Sequence, residues 1–384
     1  MNQKIKIRGL LTALLVIASI GVASGALADS PPAAKKLIAD MKLNAETTAG
    51  WEEEQVVPQA WLDGAKKEGA LRINGSWESK EFREMSKAFS ERYPFVKINY
   101  SRGSNDTRVR TPLVAFREGR YITDVVTGID SSLPEFREIR ALADLTDMPN
   151  IKNVPDDMQS KGGDWASVRL RYWCMAYNPK LISKERMPKT WDDLLTTKEL
   201  YNGRLALWRG VSSWLLPLWN AKGEAWTSNY MKKLFEVAQP QKRKEGARAL
   251  VNLVIIGEFN ATLAAAEYQV QEPLGKGAPV AFHCPDLVPV AASTVGILKG
   301  NPNINSSKLF LNWLLSKEGQ VAQYAAGGAP PVHRDLQKAG MMPFPDEVAG
   351  KKIAFRSPDL LDDDITAMFR MLKPIWDGDF GDSE

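Results

Sequence analysis

The run Arg209-Gly210-Val211-Ser212-Ser213 sets a guanidinium beside two hydroxyls and the backbone N–H groups of a turn. It follows a strand-like stretch, residues 203–208 (GRLALW), and precedes a helix-like one, so these groups would stand where an oxyanion can be held. A capped helix with a solvent-facing arginine fits the same residues. Glu267 and Tyr268 close another apolar stretch, residues 261–266, in a similar way. Three further strand ends carry polar groups: Gly75-Ser76-Trp77, Arg102-Gly103-Ser104 and Gly128-Ile129-Asp130-Ser131. In open α/β sheets, ligands bind beyond the carboxyl ends of the strands. Any one of these serines, glycines or aspartates also serves as an ordinary helix cap, and it is their shared position that makes them candidates. The two histidines, His283 and His333, sit in no HExxH, GxSxG or CxxC-like setting, so no nucleophile, base and orienter can be assembled.

The elements that must position these groups read as two α/β units. Residues 71–74, 94–100 and 123–127 read as strands, with helices at residues 81–89 and 107–117 between them, a run that demands right-handed crossovers and a mostly parallel sheet. Residues 169–181 (RLRYWCMAYNPKL) form an apolar strand ended by Asn178-Pro179, and everything else lies before or after it. Beyond it come a helix opened by Thr190, the strand at 203–208, helices at 226–237 and 242–256, the strand at 261–266, and a second extended crossing at 288–298.

The chain opens with Lys4, Lys6 and Arg8, an apolar run over residues 10–23 and the small-residue site Ala26-Leu27-Ala28. This is a secretory signal, with cleavage expected after Ala28, and it implies a periplasmic protein. Its three cations leave a mature charge of 4 − 3 = +1, which gives no support for a nucleic-acid partner. The remaining 384 − 28 = 356 residues exceed one compact core, so two domains are expected. Cys174 and Cys284, the only cysteines, fall near the two crossings; one bridge or two buried thiols both fit.

In this order and spacing, the segments AKKEGALRIN (residues 65–74), ADLTD (143–147), AYNPKL (176–181) and KLFLNWLLSKEGQ (308–320), followed by Pro331, resemble the extracellular solute-binding proteins of ABC importers. Within them they resemble the branch that includes the ferric-ion-binding proteins. The resemblance implies a two-lobed α/β fold of the periplasmic-binding-protein type II kind, each lobe a mostly parallel sheet flanked by helices. Two hinge strands would join the lobes, and ligand would draw them closed. The expected division is a signal peptide at 1–28, an N-terminal helical extension at 29–66, lobe 1 at 67–170 with 288–305 returning to it, lobe 2 at 171–287, and C-terminal helices at 306–384 packing on the lobes.

Ferric members end the strand matching residues 261–266 in two tyrosines, where this chain has Glu267-Tyr268. Their histidine ligand falls at Trp77, which cannot bind a metal, their glutamate falls near Asp130, and their anion-binding turn matches Ser212-Ser213. The resemblance thus implies Fe(III), or an iron–anion complex, on Asp130, Glu267 and Tyr268. The second reading is an organic anion such as a carboxylate or phosphonate, with Arg209 forked onto the oxyanion, Trp77 covering the rest and Arg102 nearby. Either way the expected partners are a small solute and the permease of an ABC importer, the protein acting as a monomer with no required cofactor. A secreted enzyme on the same fold is the alternative of a different class.

Overall fold

A computed structural model describes residues 30–104 and 106–376. The expected signal peptide lies outside the described residues. Ten strands form one continuous sheet: β1 (Ala70–Gly75), β2 (Lys97–Arg102), β3 (Val125–Thr127), β4 (Ala166–Tyr177), β5 (Leu205–Trp208), β6 (Gln241–Arg243), β7 (Ala261–Ala266), β8 (Ala281–His283), β9 (Leu287–Ile297) and β10 (Lys352–Arg356). The order is β2-β1-β3-β9-β4-β7-β5-β6, with β10 added to β9 and β8 to β4.

At one end of that order β1 lies parallel to β2 and β3, and at the other β5 lies parallel to β6 and β7. These are the two parallel cores that the alternation of strand and helix signals demands. Strand β7, ATLAAA, is buried along its whole length, as befits a central parallel strand covered on both faces. Strand β1 alternates instead, with Leu71 and Ile73 inward, because its other face is only partly covered.

Between the two cores run β4 and β9, twelve and eleven residues long and antiparallel, paired from Ala166 with Val295 to Tyr172 with Val290. At ~3.3 Å per residue each spans roughly 40 Å, enough to serve both lobes. The end of β9 pairs with β3, while residues 173–177 of β4 pair with β7. The two expected crossings are therefore one two-stranded ladder, and the fold is the two-lobed α/β type with two joining strands.

Two local expectations fail. Residues 241–243 form the edge strand β6, and the helix expected from Lys242 begins only at Ala247, after Gly246. Lys242 and Arg243 suit a sheet edge, where charge blocks further pairing. The short strand β8 was not expected at all.

The terminal segments fasten the first lobe. Glu318 accepts the indole N–H groups of both Trp51 and Trp313 and pairs with Arg92, which also holds Glu52, so the N-terminal extension, the first lobe and the C-terminal helices share one buried polar knot. The helix Leu361–Leu372 packs instead on the second lobe's helices Leu215–Lys222 and Glu224–Lys233.

Cys174 on β4 and Cys284 beyond β8 are joined by a disulfide, their Cα atoms 5.0 Å apart, so the alternative of two thiols is set aside. The bridge closes a loop 110 residues apart in sequence, around most of the second lobe. Replacing both cysteines with alanine is expected to lower the unfolding free energy by about 2–4 kcal/mol, read by urea denaturation of oxidised wild type against the variant.

Candidate functional site

The carboxyl ends of β1, β2 and β3 are tied together by one arginine and two hydroxyls. Arg108 donates to the carbonyls of Gly103 (3.2 Å) and Gly128 (3.0 Å), and the Ser76 N–H donates to Thr127 Oγ1 at 3.1 Å. Gly128 takes φ +66°, and a Cβ there would come within 3.2 Å of both the Arg108 Nη2 and the Ser76 Oγ. A side chain is excluded both by that backbone conformation and by the crowding. Asp130 anchors this rim to the crossing ladder, its Oδ1 accepting from the Thr294 N–H (2.7 Å) and hydroxyl (2.6 Å) of β9.

Strand β4 supplies the floor. Arg169, Arg171 and Trp173 are spaced two apart and so project from one face of the strand. Arg169 turns to the first lobe: its Nη2 donates to Ser76 Oγ at 3.0 Å, it meets Glu81 at 3.3 Å, and its guanidinium lies over the Trp77 ring. Arg171 turns to the second lobe: its Nη1 donates to Glu267 Oε1 at 2.8 Å and its guanidinium covers the Tyr268 ring at 4.6 Å. The second Glu267 oxygen accepts the Tyr172 N–H at 2.8 Å. Arg169 is only 5% exposed, and burial followed by the nearby Arg171 lowers its pKa to about 10. It stays cationic at neutral pH, with the long contact to Glu81 as its ion pair and no partner for its Nε among the described residues. Burial likewise lowers the pKa of Arg108, whose Nε is also buried without a partner.

The residues expected from sequence separate into four groups. Trp77 is core: it is fully buried, its indole donates to Gln323 at 2.9 Å, and it packs among Phe82 and Tyr100, so it does not cover a ligand. Arg102 stands at the exposed rim, paired with Glu78 at 2.9 Å. Glu267 is fully buried with both oxygens bonded inside the protein, to Arg171 and the Tyr172 N–H. Among the described residues no group of three or more His, Cys, Asp or Glu is arranged to hold a metal. Tyr268, Asp130, Arg209 and Ser213 keep partly exposed positions at strand ends, while Ser212 is buried in the one-turn 3-10 segment Val211–Ser213.

Sequence reasoning missed Arg169 and Arg171. Their signal was present as two arginines at period two inside an otherwise apolar strand, a pattern that places two charges on one covered face. Such charges require partners, and a crossing strand has lobes on both sides to provide them.

Two parallel-sheet lobes joined by a pair of long crossing strands, with polar groups gathered at the carboxyl ends, define a solute-binding protein of the type II periplasmic architecture. Residues 75–321 match the family described as bacterial extracellular solute-binding protein, and the chain belongs to that family. Its fold is shared with the iron-bound HitA of Pseudomonas aeruginosa, at 20% identity and TM-score 0.61 over 80% of this chain and 99% of that one. Apo ferric ion-binding protein A of Pasteurella haemolytica gives 16% identity and TM-score 0.65 over 82% and 100%. The Trichodesmium protein FutA, solved with iron and citrate, gives 16% and 0.65 over 80% and 99%. No curated protein sequence matches the chain.

Truncating Arg171 leaves the Glu267 carboxylate buried without its cation. Arg171→Met is expected to cost about 3 kcal/mol of stability, and Arg171→Met with Glu267→Gln to recover part of it, as measured by urea unfolding of the three proteins.

Proposed function

We propose that the protein captures a small organic anion between its lobes and delivers it to the permease of an ABC importer, acting outside the cytoplasmic membrane and without catalysing a reaction. The observation that carries this is the buried arginine pair on β4, each guanidinium fixed to a different lobe. A cleft floor of this kind holds positive charge where an anion would touch both halves at once, and a ligand that contacts both lobes favours the closed arrangement. Arg209 stands at the end of β5 with Ser212 and Ser213 in the following turn, a further set of donors suited to an oxyanion.

A ferric solute is the second reading. It is favoured by the structural likeness to HitA and FutA, whose structures hold iron, and by the retained oxygen donors Tyr268 and Asp130. Against it stand the commitment of Glu267 to Arg171 and the two guanidiniums, of Arg171 and Arg248, that lie over the Tyr268 ring, since cations beside the phenol oppose a trivalent cation.

Titration separates the two. With an anionic solute, isothermal calorimetry with carboxylates and phosphonates gives saturable heat that Arg209→Ala weakens about tenfold or more, and ferric citrate produces no visible phenolate-to-iron band. A band that disappears in Tyr268→Phe, with no binding of iron-free anions, would establish iron instead.

A further inference from the structure

Strand β7 ends in three alanines, Ala264, Ala265 and Ala266, and this absence of bulk has a consequence for its neighbours. Trp173 on β4 pairs with Ala266 on one side of β7, and Trp208 ends β5 on the other. Strands two apart in a sheet lie about 9–10 Å from one another. The indoles nevertheless meet across β7, stacked with centroids 5.2 Å apart and planes at 17°. The loop after β5 closes on this pair, since a Cβ at Gly210 would fall 2.2 Å from the Trp208 ring.

Trp173 is 9% and Trp208 6% exposed; among the described residues neither indole N–H donates within the protein, and neither is a sealed atom, so both open to solvent. That is unusual in this molecule. Trp51, Trp77, Trp165, Trp191 and Trp313, buried to a similar degree or more, each donate to a carboxylate, amide or backbone oxygen. The Trp214 N–H is sealed in the core, and Trp61 and Trp219, also without a partner, lie on flanking helices. Trp173 and Trp208 differ in place: Trp173 shares the β4 face of Arg169 and Arg171, and Trp208 directly precedes Arg209. Indole N–H groups that open from nearly buried rings and find no acceptor in the protein can take one from what the cleft receives.

We infer that Trp173 and Trp208 are solute-binding residues, and that the solute is an organic oxyanion with a second acceptor group. The anionic head is held by the arginines at the strand ends, and the second group accepts from the indole N–H groups. The inference rests on the anionic solute proposed above and narrows it from any small anion to a two-headed one. The stacked rings also give the cleft an apolar flank that a fully hydrated inorganic ion cannot use.

The test uses the full mature chain, two related probes, methylphosphonate and phosphonoacetate, and the variants Trp173→Phe and Trp208→Phe. Phenylalanine keeps a flat ring while removing the donor and part of the indole's bulk. Trp219→Phe is the control, and thermal melting checks that each variant folds. Phosphonoacetate should bind wild type more tightly than methylphosphonate. Each cleft variant should weaken phosphonoacetate about tenfold, the loss of one hydrogen bond to a charged acceptor, leave methylphosphonate unchanged, and melt no lower than the Trp219→Phe control. Tryptophan fluorescence should shift on adding phosphonoacetate, and less so in the cleft variants than in the control. Equal affinity for the two probes, or phosphonoacetate affinity unaltered in both cleft variants, overturns the role of the indoles while the anionic solute stands. Binding of neither probe to wild type removes the anionic solute, and the two-headed one with it.

Discussion

The antiparallel ladder of β4 and β9 is the constraint on which the rest depends. Among the described residues it is where the two parallel cores meet in the sheet order, β9 pairing on with β3 and β4 with β7. Side chains on a strand alternate between faces, and a charge pattern of period two therefore commits one face to one task. Arg169 and Arg171 use this directly, the first bonded to Ser76 in one lobe and the second to Glu267 in the other. A rotation of the lobes about the ladder would draw these anchors apart or bring them together. A ligand lying over both guanidiniums would thus contact groups whose spacing the rotation sets.

Burying such charge is costly, and the structure compensates the two arginines unequally. Arg171 has a short contact to a fully buried carboxylate, and the pair is internally neutral. Arg169 has a 3.3 Å contact to Glu81 and a pKa pulled down by burial. Arg108, nearby, is held by two backbone carbonyls, with Asp130 close enough to favour its charge but bonded to Thr294. Desolvated cations with incomplete partners cost free energy, and an anion bound beside them would relieve that cost in proportion to how well it fits. This is a physical reason for affinity that needs no metal.

Much of the architecture was legible in the chain because it follows from local patterns. The strands at β1, β5, β7 and β9 lie close to where apolar runs end at Gly, Asn, Asp or Glu, and the crossings show as long apolar stretches with Cys174 and Cys284 nearby. What escaped was set by pairing that no local pattern reveals. β6 is a strand because β5 offers it an edge, although KRKEGARALV reads as helix throughout. Trp77 stands at a strand end, where a ligand is expected, yet Gln323 lies close enough to accept its indole N–H, and that distant residue draws it into the core. Glu267 is lost to the solute for a similar reason, since its partner Arg171 lies 96 residues earlier in the chain.

These same long-range pairings explain how the fold of iron-binding relatives can persist here with a different set of groups in the cleft. The ladder and the two parallel cores require only apolar strands and small residues at turns, and they leave the side chains at strand ends free to change. The space Trp77 fills beside Phe82 and Tyr100 is apolar, and Arg169 covers its ring. That guanidinium and the one two residues on place positive charge between the lobes, which favours the anionic solute proposed above. A carboxylate at position 267 neutralises one of them instead of a metal. A buried cation favours an anion beside it and disfavours a second cation. In the anionic reading proposed above, the cleft takes its character from residues whose partners lie on other elements, on a scaffold shared with the solved neighbours.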